Sequence, residues 1–385
     1  MSFFKKFFLL ILINIFIFLS IEIVFTIFFV VHKTNYYGSL AKLFLSENKI
    51  LEKTVFYEIK YDKLTGKYIP GDYSFNDIKH HVNKFGFIGE EIELENKTGC
   101  RIVSLGGSTT AGIETKEPYP KILEKLLRQN NYNCEVLNFG FSGKALNFLE
   151  DLLVDEVIKF NPNIVTIMNN RNSTMYNSYT TSSVATDIID SKYDLFIYEI
   201  KNFLFLEIMT YRFMNLAYNR LISLFLDKEN KILSPFNPTV FHSKKYFETG
   251  YKNQILRINS YCRAKGIKLL LIKQAYFIDP DFQKIISKAS KEDIIKKLIK
   301  YNKEKINIEK TNLFWIYTNA ILNKTFDEIK SIDENIILVD PTDNLYAKNK
   351  KDFFLNDGLH LNINGNRIIA KKIFENLVLN EMISN

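Results

Sequence analysis

The sequence predicts an α/β protein in which a doubly wound parallel sheet follows one N-terminal transmembrane helix. Three observations lead to this prediction. A long apolar run occupies residues 7–31, short β-prone runs alternate with helical segments from residue 101 onwards, and several of those runs end in glycine-bearing polar loops. Strands and helices that alternate at this spacing pair in parallel through right-handed crossovers.

The first segment, residues 1–33, is interpreted as a membrane anchor. Its apolar run is interrupted only by Asn14, Ser20, Glu22 and Thr26. A bilayer core about 30 Å thick needs about 20 such residues in a helix. No small-residue cleavage site follows the run, so a retained helix is favoured over a cleaved signal peptide. Because single N-terminal anchors commonly deliver the following domain across the membrane, the body of the chain is expected outside the cytoplasm, in the periplasm or at the cell surface.

Glu22 is the exception within this apolar run, since a carboxylate near the middle of a membrane is costly. Two interpretations of Glu22 stay open. It is a pairing site for another membrane helix, or it is a carboxyl group that is protonated or reaches outward to the interface.

The net charge of +8 does not indicate nucleic-acid binding. Lysines are spread along amphipathic segments such as residues 284–305, where acids interleave with them, and no dense basic block stands out. This distribution is typical of a solvated protein face. Attraction to anionic lipid headgroups explains the charge more simply.

The remaining chain divides into a juxtamembrane segment and a larger domain. Residues 34–98 carry turn signals and few strong periodic elements, whereas residues 99–385 contain the α/β pattern. Strands are predicted at residues 101–105, 135–139, 163–168, 268–273 and 335–339. Helices are predicted at residues 120–128, 145–160, 251–265 and 365–379. A helical insertion at about 173–248 separates the third and fourth strands, and its aromatic stretch at 193–226 is a core-packed helix, a substrate lid or a membrane-surface element.

Cys100 and Cys134 occupy equivalent positions, each six residues before the glycine that ends a predicted strand. If the two strands are neighbours in register, the two sulfurs meet and can form a disulfide. Two ordinary buried thiols are the alternative.

The loop LGGSTTAG at 105–112 presents a candidate nucleophile. Ser108 follows two glycines, which permit a tight turn and close backbone approach, and it precedes a helical segment. Ligands of an open parallel sheet meet the carboxyl ends of the strands, so the hydroxyl and nearby backbone N–H groups suit nucleophilic catalysis. A phosphate-binding loop is disfavoured, because the segment has neither the GxxxxGK[ST] lysine nor the GxGxxG spacing.

The segment NDGLHLNINGNRIIA at 356–370 supplies a candidate base. Asp357 and His360 lie three residues apart, just before the final helix, and side chains at this spacing can share a face. A carboxylate that orients an imidazole, which deprotonates a serine, is the logic of a catalytic triad. Among the five histidines of the chain, His360 is the one with a carboxylate at this spacing in such a context. Ser108, His360 and Asp357 are therefore the predicted catalytic residues.

Two further loops offer donors to an oxyanion. NFGFSG at 138–143 offers the backbone N–H of Gly143, and MNNRNS at 168–173 offers the side-chain amide of Asn170. Taken singly, an Asn after a strand is an ordinary turn residue.

Together these segments resemble the SGNH (GDSL-like) hydrolase superfamily over roughly residues 100–380. GGST matches the first block of that family and carries Ser108, NFGFSG matches the second, and DGLH matches the last. The third block departs from the G-x-N-D pattern, since MNNR keeps the Asn and loses both the glycine and the acid. Asn170 is the best-aligned donor there, with Asn172 as the alternative. VNKFGFIGEEI at 82–92 is similar to the segment that precedes GGST in many membrane-anchored members.

The resemblance implies the SGNH hydrolase fold, a three-layer αβα flavodoxin-like sheet, with no metal and no cofactor. It implies a serine esterase that acts on a small molecule, glycan or lipid bearing an ester. The expected tether outside the cytoplasm suggests an envelope substrate, such as an O-acetylated glycan or a lipid ester. A polysaccharide O-acetyltransferase with the same triad is one alternative. A catalytically degenerate glycan-binding or assembly protein is another, which the altered third block favours and the intact triad disfavours.

Overall fold

The computed structural model describes most of the chain. The described residues are 3–31, 51–53, 59–62, 65–94, 99–170, 172–173, 250–278, 288–301, 310–345 and 349–383, with isolated positions between 200 and 286. Most of the predicted insertion at 173–248, including nearly all of the aromatic stretch at 193–226, lies outside the described residues.

The N-terminal apolar run forms one helix, α1, from Phe3 to Val31. Many of its described apolar side chains are exposed, Phe16 and Val24 among them. Within the described residues, however, no helix has the combination of length and apolar character that crossing a membrane requires. The predicted helix is therefore confirmed, whereas its predicted passage through a membrane is not supported.

Glu22 has a partner within the chain. Its side chain is 2% exposed, and the backbone N–H of Thr210 donates to Glu22 Oε2 over 2.8 Å. The carboxylate of Glu22 on α1 is therefore hydrogen-bonded to the backbone of the insertion.

Along the chain, two antiparallel hairpins follow α1 and precede the main sheet. β1 (Leu51–Lys53) pairs with β2 (Lys60–Asp62), and β3 (Gly71–Phe75) pairs with β4 (Ile78–Val82). Ile88 forms β-bridges both to Val82 and to Asn138, which attaches the second hairpin to the edge of the main sheet. The segment in which few periodic elements were expected is thus partly β-structured and packs on the domain.

The domain is built on a five-stranded sheet in which every neighbouring pair is parallel. Its strands are β5 (Cys100–Gly106), β6 (Cys134–Gly140), β7 (Ile164–Met168), β8 (Lys268–Ile272) and β9 (Ile337–Val339). The order across the sheet is β6-β5-β7-β8-β9, which is the flavodoxin-like order. The direction of winding reverses at β5, so a crevice for ligands is expected at the carboxyl ends of β5 and its neighbours.

Helices cover both faces of this sheet. They are α2 (Ser108–Ala111), α3 (Tyr119–Gln129), α4 (Leu146–Asp155), α5 (Tyr251–Ala264), α6 (Lys291–Tyr301), α7 (Lys310–Ile332), α8 (Thr342–Leu345) and α9 (Ile363–Leu379). One apolar cluster contains residues of α4, α5 and α7, and a second contains residues of α3 and α9. Because both faces are covered, the central strands are almost fully buried and read as continuous apolar runs. The predicted three-layer α/β architecture is confirmed.

Arg101 fastens the segment before the sheet to the domain. Its side chain is fully buried, and a buried guanidinium must be paired. Nε donates to Glu135 on β6 over 2.8 Å, Nη1 donates to the carbonyl of Phe160 over 2.8 Å, and Nη2 donates to the carbonyl of Glu93 over 3.2 Å. One side chain thus connects β5, β6, the turn before β7 and the chain that leads into β5.

Cys100 and Cys134 are partners in the parallel register of β5 and β6, with their Cα atoms 4.4 Å apart, and they form a disulfide. The predicted pairing is confirmed. The third cysteine, Cys262, is free and buried.

Candidate active site

Ser108 begins α2 directly after the end of β5. The two preceding residues must be glycines, because neighbouring side chains lie too close to leave room for a Cβ atom. A Cβ at Gly106 would collide with the side chain of Thr110, and a Cβ at Gly107 would collide with the amide of Asn172. Ser108 itself is 9% exposed, so its hydroxyl is largely shielded from solvent.

The structure brings the side chains of Ser108, His360 and Asp357 together. His360 Nε2 lies 2.8 Å from Ser108 Oγ, and His360 Nδ1 is hydrogen-bonded to Asp357 Oδ2. Because the carboxylate accepts the proton on Nδ1, the tautomer assigned from this network leaves Nε2 free to accept the serine proton. Carboxylate, imidazole and hydroxyl therefore stand in the order of a Ser-His-Asp triad.

Asp357 is held in its ionised form. Its Oδ1 accepts the backbone N–H groups of Leu359 and His360 over 2.9 and 3.0 Å. Burial opposes ionisation, but the hydrogen bond and charge of His360 together with these N–H groups outweigh it and lower the pKa of Asp357 from 3.8 to about 2. At neutral pH the carboxylate is therefore available to orient the imidazole.

The loop that carries Asp357 and His360 is anchored at two points. Gly358 has φ +71°, a conformation that favours glycine, and its carbonyl accepts the backbone N–H of Phe277 over 2.7 Å. Asn362 caps α9 by accepting the N–H groups of Asn364 and Gly365. The chain after β8 and the start of α9 together set the position of the imidazole.

Gly143 lies in the loop after β6 with φ +73°. The N–H of Phe141 donates to the carbonyl of Gly106 over 2.9 Å, which ties this loop to the one that carries Ser108. The predicted donor Gly143 is therefore in a loop that adjoins the nucleophile's loop.

The Asn170 amide is engaged elsewhere. Its Nδ2 donates to Asn319 over 3.2 Å and to Asn323 over 2.6 Å, and its Oδ1 accepts the hydroxyl of Tyr251 over 3.2 Å. Asn319 and Asn323 lie four residues apart on α7 and clamp this amide between them. Since both hydrogens of Nδ2 are used, the predicted role of Asn170 as an oxyanion donor does not fit its position.

Asn172, the alternative donor, lies against the nucleophile's turn. Its Nδ2 faces Gly107, the residue directly before Ser108, and its side chain is 7% exposed. Of the two candidate amides in this loop, that of Asn172 is the one directed at the turn of the nucleophile.

Two residues at the site, Glu114 and Tyr68, were not predicted from the sequence. Glu114 Oε1 lies 3.5 Å from His360 Nε2. The Tyr68 hydroxyl accepts the N–H of Ser142 over 2.8 Å. Burial, with a smaller contribution from the charge of Glu114, raises the pKa of Tyr68 to about 12, although the hydrogen bonds with Ser142 act in the opposite direction. Neither residue belongs to a motif, since Glu114 follows α2 in a loop and Tyr68 comes from the juxtamembrane segment.

The donor set around Ser108 consists of an imidazole, two carboxylates and amides. In the described parts of the chain, no group of three or more His, Cys, Asp or Glu side chains is arranged to hold a metal ion. The geometry is that of acid–base and nucleophilic chemistry.

No protein-family description and no curated protein matches the chain. Solved structures give the following likenesses. A lipase/acylhydrolase from Enterococcus faecalis has 14% identity and a TM-score of 0.39, covering 74% of this chain and 97% of that chain. A family 3 carbohydrate esterase from Clostridium thermocellum has 14% identity and a TM-score of 0.39, covering 74% and 98%. A mutant acetyl-xylooligosaccharide esterase from Geobacillus has 14% identity and a TM-score of 0.40, covering 73% and 94%. At these values the residues of the site, not the likeness, carry the functional argument.

Proposed function

We propose that this chain is an SGNH-type serine esterase in which Ser108 is the nucleophile. The observation that carries the proposal is the hydrogen-bonded series from Asp357 through His360 to Ser108, with 2.8 Å between His360 Nε2 and Ser108 Oγ. A hydroxyl at this distance from an oriented imidazole is ready to lose its proton as it attacks a carbonyl carbon.

In the acylation step, Ser108 Oγ attacks the carbonyl carbon of the ester while His360 Nε2 takes the hydroxyl proton. The resulting tetrahedral intermediate collapses when the imidazolium gives this proton to the oxygen of the leaving alcohol. An acyl group is then bound to Ser108, and the alcohol departs. Asp357 stays ionised throughout and holds the ring in one orientation.

The oxyanion of that intermediate needs donors fixed in advance. We assign the backbone N–H groups of Ser108 and Gly143 and the side-chain amide of Asn172 to this role. Support for Asn172 comes from its contact with Gly107 and from the engagement of the Asn170 amide with Asn319 and Asn323. Asn170 instead positions the loop that carries Asn172.

In the deacylation step, His360 Nε2 takes a proton from a water molecule whose oxygen attacks the acyl carbon. The bond from that carbon to Ser108 Oγ then breaks, the imidazolium returns the proton to Oγ, and the carboxylic acid is released. A sugar hydroxyl in place of water would make the same site an O-acetyltransferase, with the same three residues and the same proton route. The proposal is hydrolysis, and the substrates proposed are O-acetyl groups of envelope glycans or lipid esters.

We further propose that the domain works outside the cytoplasm and is tethered to a membrane by residues 3–31. The disulfide between Cys100 and Cys134 supports an oxidising compartment. The exposed apolar side chains of α1 support the tether. Protease treatment of spheroplasts tests the location, because a domain that stays protected contradicts it.

Covalent labelling with a fluorophosphonate probe tests the catalytic proposal. The native chain should be labelled and should hydrolyse p-nitrophenyl acetate, while Ser108→Ala should do neither. Ser142→Ala, which changes a serine on the adjoining loop, is the matched control and should still be labelled. If labelling does not depend on Ser108, the chain is a binding or assembly protein.

A further inference from the structure

Glu114 places a second carboxylate at the catalytic imidazole. Its Oε1 lies 3.5 Å from His360 Nε2, on the nitrogen that faces Ser108 and not on the one that faces Asp357. The Glu114 side chain is 15% exposed, so this charge is partly shielded from solvent and its field reaches the site. The triad chemistry proposed above does not use it.

The position of Glu114 is fixed by its neighbours in the chain. The preceding residue, Ile113, is fully buried, and its carbonyl accepts a hydrogen bond of 2.8 Å from His80 Nε2. On the other side, the N–H of Thr115 donates to the carbonyl of Gly112 over 3.1 Å. The backbone on both sides of Glu114 is therefore held in place, and its carboxylate lines the site beside the imidazole.

The carboxylate of Glu114 lies close to the position expected for the alcohol part of the ester. In acylation, the leaving alcohol oxygen takes its proton from His360 Nε2 and must lie about 3 Å from it. Because Glu114 Oε1 is 3.5 Å from the same nitrogen, the two oxygens can be no more than about 6.5 Å apart. Substituents on the first carbons of the alcohol therefore fall within range of the carboxylate.

We infer that Glu114 is a specificity-determining residue that selects esters whose alcohol part carries hydrogen-bond donors or positive charge, such as a neutral or amino sugar, and rejects anionic alcohols. The inference rests on the proposed esterase function. Asp357 and Glu114 contribute two negative charges against at most one positive charge on the imidazole, so these three side chains together are negative whether the ring is neutral or protonated. An anionic group on the alcohol is repelled, while hydroxyl or ammonium donors are attracted.

Three acetate esters that differ in charge on the alcohol side test this inference: acetylcholine, its uncharged carbon isostere dimethylbutyl acetate, and acetoxybutyrate. Acetic acid release by the full chain should give kcat/KM in the order cationic, neutral, anionic, with about tenfold between steps. In Glu114→Gln both ratios should fall severalfold toward one, because one of the two negative charges beside the imidazole is removed. Glu117→Gln is the matched control, since Glu117 lies in the same loop and pairs with Lys125, and its ratios should equal those of the native chain.

The native chain decides the matter even if Glu114→Gln fails to fold, because equal or faster hydrolysis of the anionic ester overturns the inference. Unchanged ratios in Glu114→Gln also overturn it. If the native chain is labelled by a fluorophosphonate and hydrolyses all three esters without discrimination, only the role of Glu114 fails. If it is neither labelled nor active on any ester, the proposed function fails and the inference with it.

Discussion

His80 Nε2 lies 2.8 Å from the carbonyl oxygen of Ile113, so a side chain of the β3–β4 hairpin is hydrogen-bonded to the loop that carries Glu114. Burial lowers the pKa of His80, which favours the neutral ring, and its Nε2–H donates to that carbonyl. A hairpin that precedes the α/β domain in the chain thus helps to position the loop that places Glu114 beside His360.

Replacing His80 with phenylalanine keeps a ring in the pocket and removes the donor. The free energy of unfolding should fall by about 1–3 kcal/mol, because the buried carbonyl of Ile113 loses its partner. Urea unfolding followed by circular dichroism measures the loss. His81→Phe is the matched control at the neighbouring, more exposed position, where the change should stay within about 0.5 kcal/mol. Equal losses in the two variants would contradict the role given to His80.

The oxyanion assignment predicts that Asn172→Ala lowers kcat about 10²–10³-fold toward p-nitrophenyl acetate, because one fixed donor to the developing negative charge is lost. Its free energy of unfolding should change little. Steady-state kinetics with urea unfolding of the same preparation separates the two effects.

Asn170→Ala is expected to behave in the opposite way. Removing this buried amide deletes its hydrogen bonds to Asn319, Asn323 and Tyr251, so the free energy of unfolding should fall by about 1–3 kcal/mol. The assignment is wrong if Asn170→Ala loses kcat at unchanged stability while Asn172→Ala remains active.

Asp357→Asn should lower kcat by about 10⁴-fold, because an amide in place of the carboxylate favours the wrong tautomer of the imidazole. Asp352→Asn, at an exposed position on the same segment, serves as the control and should retain native kinetics. Native kinetics in Asp357→Asn would remove this residue from the triad.

The pH dependence of stability gives an independent check on Asp357. Its pKa is lowered from 3.8 to about 2 in the folded chain, so its carboxylate contributes stability above the unfolded value. This contribution is lost as the pH falls from about 4 toward 2. The difference in unfolding free energy between the native chain and Asp357→Asn should therefore shrink over that range. A difference that grows with acidity would show the opposite shift.

Reduction of the Cys100–Cys134 disulfide should lower the free energy of unfolding by about 2–4 kcal/mol, because the cross-link restricts the unfolded chain. Urea unfolding with and without dithiothreitol measures the effect. The double variant Cys100→Ala, Cys134→Ala should match the reduced native chain, and Cys262→Ala should keep its response to the reductant. Two alkylatable thiols at positions 100 and 134 in the oxidised protein would rule the bond out.

Much of the fold could be predicted because its signals are local. Apolar runs and the glycines that end them indicated five strands that the structure reproduces within two residues, as in 335–339 against Ile337–Val339. The donor in the third block could not be predicted in this way. The Asn170 amide is clamped by Asn319 and Asn323, and those partners reach it only once α7 has packed beside the sheet.

The α/β class and the trio of Ser108, Asp357 and His360 could be inferred from the chain alone, because glycine turns, strand runs and the spacing of a carboxylate from a histidine are properties of neighbouring residues. The surroundings of that trio, in contrast, depend on contacts between segments that are far apart in the chain. Glu114 meets His360 across 246 positions of the chain, a separation read directly from their numbers. The Asn172 amide likewise meets Gly107 through the pairing of β5 with β7. Such contacts arise when distant segments pack, and no local pattern in the chain carries them.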